Sequence, residues 1–176
     1  GVEGYQFKDN TGAGYGAADG THTEAWAGRT KLGNTVTNNK LSVTGGTLTT
    51  GAYGGLVENN RRDKDGNPIT TGDGEKNTVT VTDGNIAAAY GAQVRTKDGS
   101  AKENTAEIKG GTLGSVYGGA LHDANATGAA TKNHVSISGG TVTGSVYGGH
   151  LAGAAASGNA TENTVTITGG QIGDVY

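Results

Sequence analysis

Short runs in which apolar and polar residues alternate recur along the chain, each followed by a glycine pair. The clearest spans Asn133 to Gly149: Val135 and Ile137 alternate with His134, Ser136 and Ser138, Gly139-Gly140 follows, and a second run through Val142 ends on Val146-Tyr147-Gly148-Gly149. Alternation with a period of two is the signature of a half-buried strand. Val79/Val81, Ala106/Ile108 and Val165/Ile167 repeat the first run; Leu48, Ile86, Leu113 and Ile172 repeat the apolar position of the second. The glycine pair, replaced by Asp83-Gly84 in one copy, predicts a bend that needs positive φ. A corner is expected near Gly114, Gly144 and Gly173. One more apolar residue after each Tyr-Gly-Gly (Leu56, Val94, Leu121 or Leu151) predicts a short third side. No window carries a helical apolar period, and glycine is too frequent for helices.

Copies start at Asn39, Asn77, Asn104, Asn133 and Asn163, and close on Tyr53, Tyr90, Tyr117, Tyr147 and Tyr176. The step from Asn to Tyr is nearly constant, whereas the segment after each Tyr varies in length. Constant strands joined by variable loops predict stacked repeats. The expected fold is therefore all-β: a parallel β-helix or β-solenoid of about five to six coils, one per repeat, with regular repeats over 39–176. Residues 1–38 read as a degenerate N-terminal repeat closing at Tyr15, followed by a long insert from Asp19 to about Asn38 that holds Trp26.

Composition changes the picture in one respect. With 35 glycines, one Trp, one Phe and few large aliphatics, the chain looks too poor in core formers to fold alone. A net charge of only −3 and the regular apolar spacing resolve this, because stacked repeats share a thin core. The charge balance provides no basic footprint for nucleic acid. No apolar run is long enough to cross a bilayer, so no membrane insertion is expected in this segment. With no cysteine, disulfide scaffolds and thiolate metal sites are excluded. No signal peptide is visible over Gly1 to Asn10, which fits a processed chain or an internal fragment. The residues preceding each Asn, namely Lys76, Glu103, Lys132 and Glu162, alternate in sign, and Glu75 and Lys102 repeat the idea one column over. In-register stacking would bring these opposite charges together.

The module resembles the passenger repeats of large bacterial autotransporter and filamentous-haemagglutinin-like surface proteins, through Asn163-Thr-Val-Thr-Ile-Thr-Gly-Gly and Gly144-Ser-Val-Tyr-Gly-Gly. The resemblance covers about Asn39 to Tyr176. It implies a right-handed parallel β-helix, an extracellular or cell-surface location, and a role in adhesion or assembly. The expected partners are further copies of the chain, adjoining repeats of a longer one, or a glycan or protein on a host or neighbouring cell.

Three features are candidate sites. Asp63-Lys64-Asp65-Gly66-Asn67 begins like a calcium loop, but Pro68 stands where the loop needs glycine and Gly74 where it needs a bidentate acid. It reads as a solvated loop tip. The tyrosine column reads as a ladder in which rings pack on one another, with an exposed stripe for sugars or proteins as the alternative. The glycine corner leaves open which way the rings face. For catalysis, Asp63, Asp65, Asp73 and Glu75 form the one dense acidic group, while His22, His122, His134 and His150 show neither ligand nor triad spacing. No cofactor, metal or catalytic residue is expected. The reading is a non-catalytic structural or adhesive β-solenoid. The alternative is a filament subunit stacking head to tail, suggested by the join of Tyr176 to Gly1, and a carbohydrate-active β-helix enzyme is a distant third.

Overall fold

The computed structural model describes residues 20–68 and 72–176. The degenerate repeat around Tyr15 lies outside the described residues. Fourteen strands follow in order: β1 (Thr21–Thr30), β2 (Val36–Thr37), β3 (Lys40–Val57), β4 (Gly74–Glu75), β5 (Thr78–Val94), β6 (Ala101–Lys102), β7 (Thr105–Ile108), β8 (Thr112–Leu121), β9 (Ala130–Thr131), β10 (His134–Ile137), β11 (Thr141–Leu151), β12 (Ala160–Thr161), β13 (Thr164–Ile167) and β14 (Gln171–Val175). Every pairing between these strands is parallel. Among the described residues there is no helix. The chain is a β-solenoid of about five turns, in which each turn lies on the one before it.

The module boundaries expected from sequence align across turns. Val79, Ala106, Val135 and Val165 stack, as do Val81, Ile108, Ile137 and Ile167. Gly46, Gly84, Gly111, Gly140 and Gly170 all have positive φ, which is why one glycine ends each first run. A second left-handed corner falls on Asn38, Lys76, Glu103, Lys132 and Glu162, with φ between 53 and 58°. Asn tolerates that conformation, and the other four side chains leave it for solvent. There the charge alternation takes effect: Lys132 Nζ lies 3.7 Å from Glu162, and Lys102 Nζ lies 3.6 Å from Glu75 and 2.7 Å from Asp73. Both groups of the Lys132–Glu162 pair are exposed, so Lys132→Glu is expected to lower stability by no more than about 1 kcal/mol, less at high salt. Adding Glu162→Lys should restore the loss in a double-mutant cycle followed by urea unfolding.

Two expectations are corrected. The stretch assigned to an insert contains β1, which pairs in register with β3 and places Trp26 beside Tyr53 and Gly28 beside Gly55. The third apolar side consists of Val57, Val94, Leu121 and Leu151, not Leu56. Leu56 sits one residue earlier, on the opposite face, in line with Gln93.

That one-residue difference reveals the cross-section. One apolar compartment holds Val79, Val81, Ile86, Ile108, Leu113, Val135, Ile137 and their neighbours. A second holds Val36, Val57, Val94, Ala101, Leu121 and Ala126. The short strands β2, β4, β6, β9 and β12 form a separate parallel sheet that supplies Val36 and Ala101 to it. Two residues are too few to show a period-two pattern, so these strands lie within what the sequence predicts as variable loops.

Candidate functional site

Between the two compartments runs a ladder of asparagines. Asn39, Asn77, Asn104 and Asn133 are buried completely. Each of these four donates its backbone N–H and one Nδ2–H to Oδ1 of the Asn one turn on, at 2.9–3.1 Å. The second Nδ2–H of Asn77, Asn104, Asn133 and Asn163 goes to a backbone carbonyl of the preceding turn, Val36, Gly74, Ala101 and Ala130 in order. A buried amide is costly unless every group is paired, and here the repeat itself supplies the pairs.

The ladder needs a thin opposing wall. A Cβ on Gly55 would lie 2.6 Å from Asn77 Nδ2, and one on Gly54 would lie 2.7 Å from the carbonyl of Thr78. The Tyr-Gly-Gly segment therefore bends inward against the Asn column and pinches the solenoid into two lobes. Glycine is not required at every level, since Ala27 and Ala92 occupy these two columns once each.

Outside the pinch the same bend makes a groove. Tyr53 and Leu56 are three residues apart on one strand, yet both belong to one buried cluster with Ala88, Tyr90 and Ala120, against which Trp26 and Tyr117 pack. That is possible only if the outer surface folds inward between them. Three outward columns line the groove. The first is Trp26, Tyr53, Tyr90, Tyr117 and Tyr147. Three residues on come Arg29, Leu56, Gln93, Ala120 and His150. Two further on stand Lys31, Glu58, Arg95, His122 and Ala152. At about 4.8 Å per turn the groove is roughly 20 Å long.

The tyrosines form a continuous stack. Tyr53–Tyr90, Tyr90–Tyr117, Tyr117–Tyr147 and Tyr147–Tyr176 have centroids 4.6–5.1 Å apart and planes within 12° of parallel. Both faces of Tyr90, Tyr117 and Tyr147 are thus covered by neighbouring rings. Tyr53 and Tyr90 are buried, so ring edges and hydroxyls are offered only at Tyr117 and Tyr147, and the stack leaves little room for sugars on ring faces. Burial pushes the phenols of Tyr53, Tyr90 and Tyr117 above the ordinary 10.0. The folded chain then keeps protons that the unfolded chain loses above pH 10.0, so stability present below that pH is lost as pH rises through the raised values. Phenolate absorbance of these rings is expected to appear together with loss of the β-sheet circular dichroism. Ionisation near pH 10.0 with the sheet intact would contradict this burial.

At its N-terminal end the groove is closed by charge. Glu58 accepts from Arg29 at 3.0–3.1 Å and from Arg95 at 2.7 Å, and Arg29 also reaches Glu24 at 3.0 Å. The two guanidinium carbons lie 5.7 Å from the Trp26 ring and 5.8 Å from the Tyr53 ring. Sequence reasoning missed this network because its members sit on three turns separated by loops of unequal length. The C-terminal end is open. Tyr117, Tyr147 and His150 are half-buried there, and His122 is exposed.

The acidic group seen in sequence does not converge. Asp63 Oδ1 accepts from the N–H groups of Asp65 and Asn67 at 2.8 and 2.9 Å, while Asp73 and Glu75 face Lys102. The Asn67 backbone N–H, foremost among these donors, holds the Asp63 carboxyl below the ordinary carboxylate value. This loop tip ties itself together through the oxygens that a calcium ion would need. Of the four histidines, His134 bonds Thr164 at 2.6 Å on another face, while His122 and His150 come to the same end of the groove. Among the described residues no three metal-ligating side chains come together.

The fold and groove define a parallel β-solenoid. Comparisons with protein-family models, curated proteins and solved structures find no match, so the groove is interpreted from its own residues.

Proposed function

We propose that this segment is a non-catalytic structural and adhesive β-solenoid, displayed on a bacterial surface as part of a secreted protein. One observation supports the adhesive part most. Turns that share the same geometry keep their apolar, asparagine and tyrosine columns, yet the outermost column of the groove changes from turn to turn. The outermost column runs Lys31, Glu58, Arg95, His122 and Ala152, all at least partly exposed. Packing alone does not ask for such variety, whereas recognition along a rod does. The groove carboxylates Glu24 and Glu58 are tied to guanidinium groups, which suits a fixed surface better than general acid–base chemistry. The partner is a glycan or protein of a neighbouring or host cell, contacted through ring edges, hydroxyls and imidazoles.

A second reading is assembly with further coils of the same kind. It is favoured by the coil-to-coil ladders, in which each Asn and Tyr finds its partner one turn on, so that a further coil of the same kind would fit the same pattern.

The test is binding of the purified chain to cell surfaces and glycan arrays, with His122→Ala/His150→Ala compared at equal thermal stability. Loss of binding in that variant supports the adhesive reading. Binding that survives replacement of the groove columns and of the 59–68 loop sinks it. Concentration-dependent fibres by electron microscopy would favour assembly.

A further inference from the structure

We propose that His122 and His150 form a two-imidazole site for a divalent transition-metal ion at the open end of the groove. The register places them. His150 pairs with Ala120, two residues before His122 on the same outward face, while Leu121 between them points into the second compartment. Side chains at such diagonal positions on adjacent strands start about 7–8 Å apart. Two imidazoles can close that gap around one ion, since each nitrogen stands about 2.0–2.1 Å from a bound zinc.

His150 is already oriented. Its ring lies 4.3 Å from Tyr147 and 5.4 Å from Tyr117, centroid to centroid, tilted against both. His122 is exposed, and the Gln93 amide nitrogen lies a long 3.5 Å from its Nδ1, so its ring is loosely held. On the far side of His122 from the tyrosine stack is an open hollow of about 320 Å³ lined by His122, Asp123, Ala124, Ala152, Gly153 and Ala154. Methyl groups and glycine leave space there for water ligands. Asp123 Oδ1 accepts the Asn125 N–H at 2.8 Å, which fixes a carboxylate on the rim of the same hollow.

The donor set selects the ion. Imidazole nitrogen favours zinc, copper or nickel over calcium and magnesium, which prefer all-oxygen cages. The site does not depend on the adhesive reading, because it is measured on the purified chain without any partner.

The experiment titrates ZnCl2 and NiCl2 into untagged, chelator-stripped protein, followed by calorimetry and thermal melting. Binding of a single ion and a raised melting temperature are expected. His122→Ala and His150→Phe should each weaken binding by about tenfold or more. The phenylalanine keeps a ring against Tyr117 and Tyr147, so failure to fold does not obscure the result. His134→Ala should bind as the parent does, and MgCl2 and CaCl2 should leave the melting temperature unchanged. Absence of zinc and nickel binding overturns the proposal. So does affinity that is unchanged in both groove variants, or that falls as much in His134→Ala.

Discussion

Asn104→Ala is expected to destabilise the chain by about 3–5 kcal/mol, read as a lower urea midpoint. Asn104 Oδ1 is the acceptor for two donors of Asn77, its backbone N–H at 3.0 Å and its Nδ2–H at 3.1 Å. Its own amide donates to Asn133 Oδ1 at 2.9 Å and to the Gly74 carbonyl at 2.8 Å. Truncation orphans two buried donors at once, each worth about 1–3 kcal/mol, and removes a donor from two acceptors. Asp in its place keeps an acceptor but turns a carboxylate toward two oxygens in a buried site, so Asn104→Asp should be at least as damaging at neutral pH. Asn125 lies on an exposed loop, and Asn125→Ala should stay within about 0.5 kcal/mol of the parent. A domain of this size is stable by about 5–15 kcal/mol, so the ladder substitution removes a large share.

Gly54→Ala is the second large effect, a loss of about 2–4 kcal/mol. The new methyl would stand 2.6 Å from the Gly91 carbonyl oxygen and 2.7 Å from both the carbonyl carbon and the oxygen of Thr78. All three are backbone atoms held in adjacent turns, so no rotamer change relieves the overlap. The loop glycine Gly66 has open space around its Cα but a φ of 84°, so alanine there meets backbone strain and no clash. A comparison of the two separates steric pinch from conformational preference: Gly54→Ala should reduce stability and disturb the groove, whereas Gly66→Ala should cost about 1 kcal/mol and act only locally. If Gly54→Ala melts with the parent, the second turn admits a methyl in this column as the first does at Ala27, and the close approach of Gly54 to Thr78 and Gly91 is not required.

Much of the frame was legible in the sequence because each cue is local. Val135 and Ile137 alternate with polar residues, and the alternation survives as buried and outward positions. The positive φ of Gly140 follows from its place after the first run. The sign change from Lys132 to Glu162 could be read once the repeats were aligned. The groove was illegible for three physical reasons. A buried Asn looks like a turn residue until its partner one turn on is known. The inward bend at Gly54-Gly55 breaks strand parity, so Leu56 and Tyr53 share a face although strict alternation would separate them. Loops of unequal length hide which residues meet, as with Arg29 and Glu58, or His122 and His150. The place of Trp26 was hidden because Ala25-Trp26-Ala27-Gly28 lacks the Tyr-Gly step of the other turns. The +φ corner at Lys76, Glu103, Lys132 and Glu162 carries no glycine signal and could not be anticipated from residue type.

The central claim is that turns stack in register around a buried asparagine ladder, with the tyrosine groove as its outer consequence. Side-chain amide hydrogen exchange, resolved by NMR, tests it most directly. The Nδ2 protons of Asn77, Asn104 and Asn133 are expected to exchange only with global unfolding, at rates that follow the stability of the whole chain. Exchange of those protons as fast as that of the exposed Asn125 amide, in a chain whose sheet is intact, would contradict the ladder and the stacking built on it.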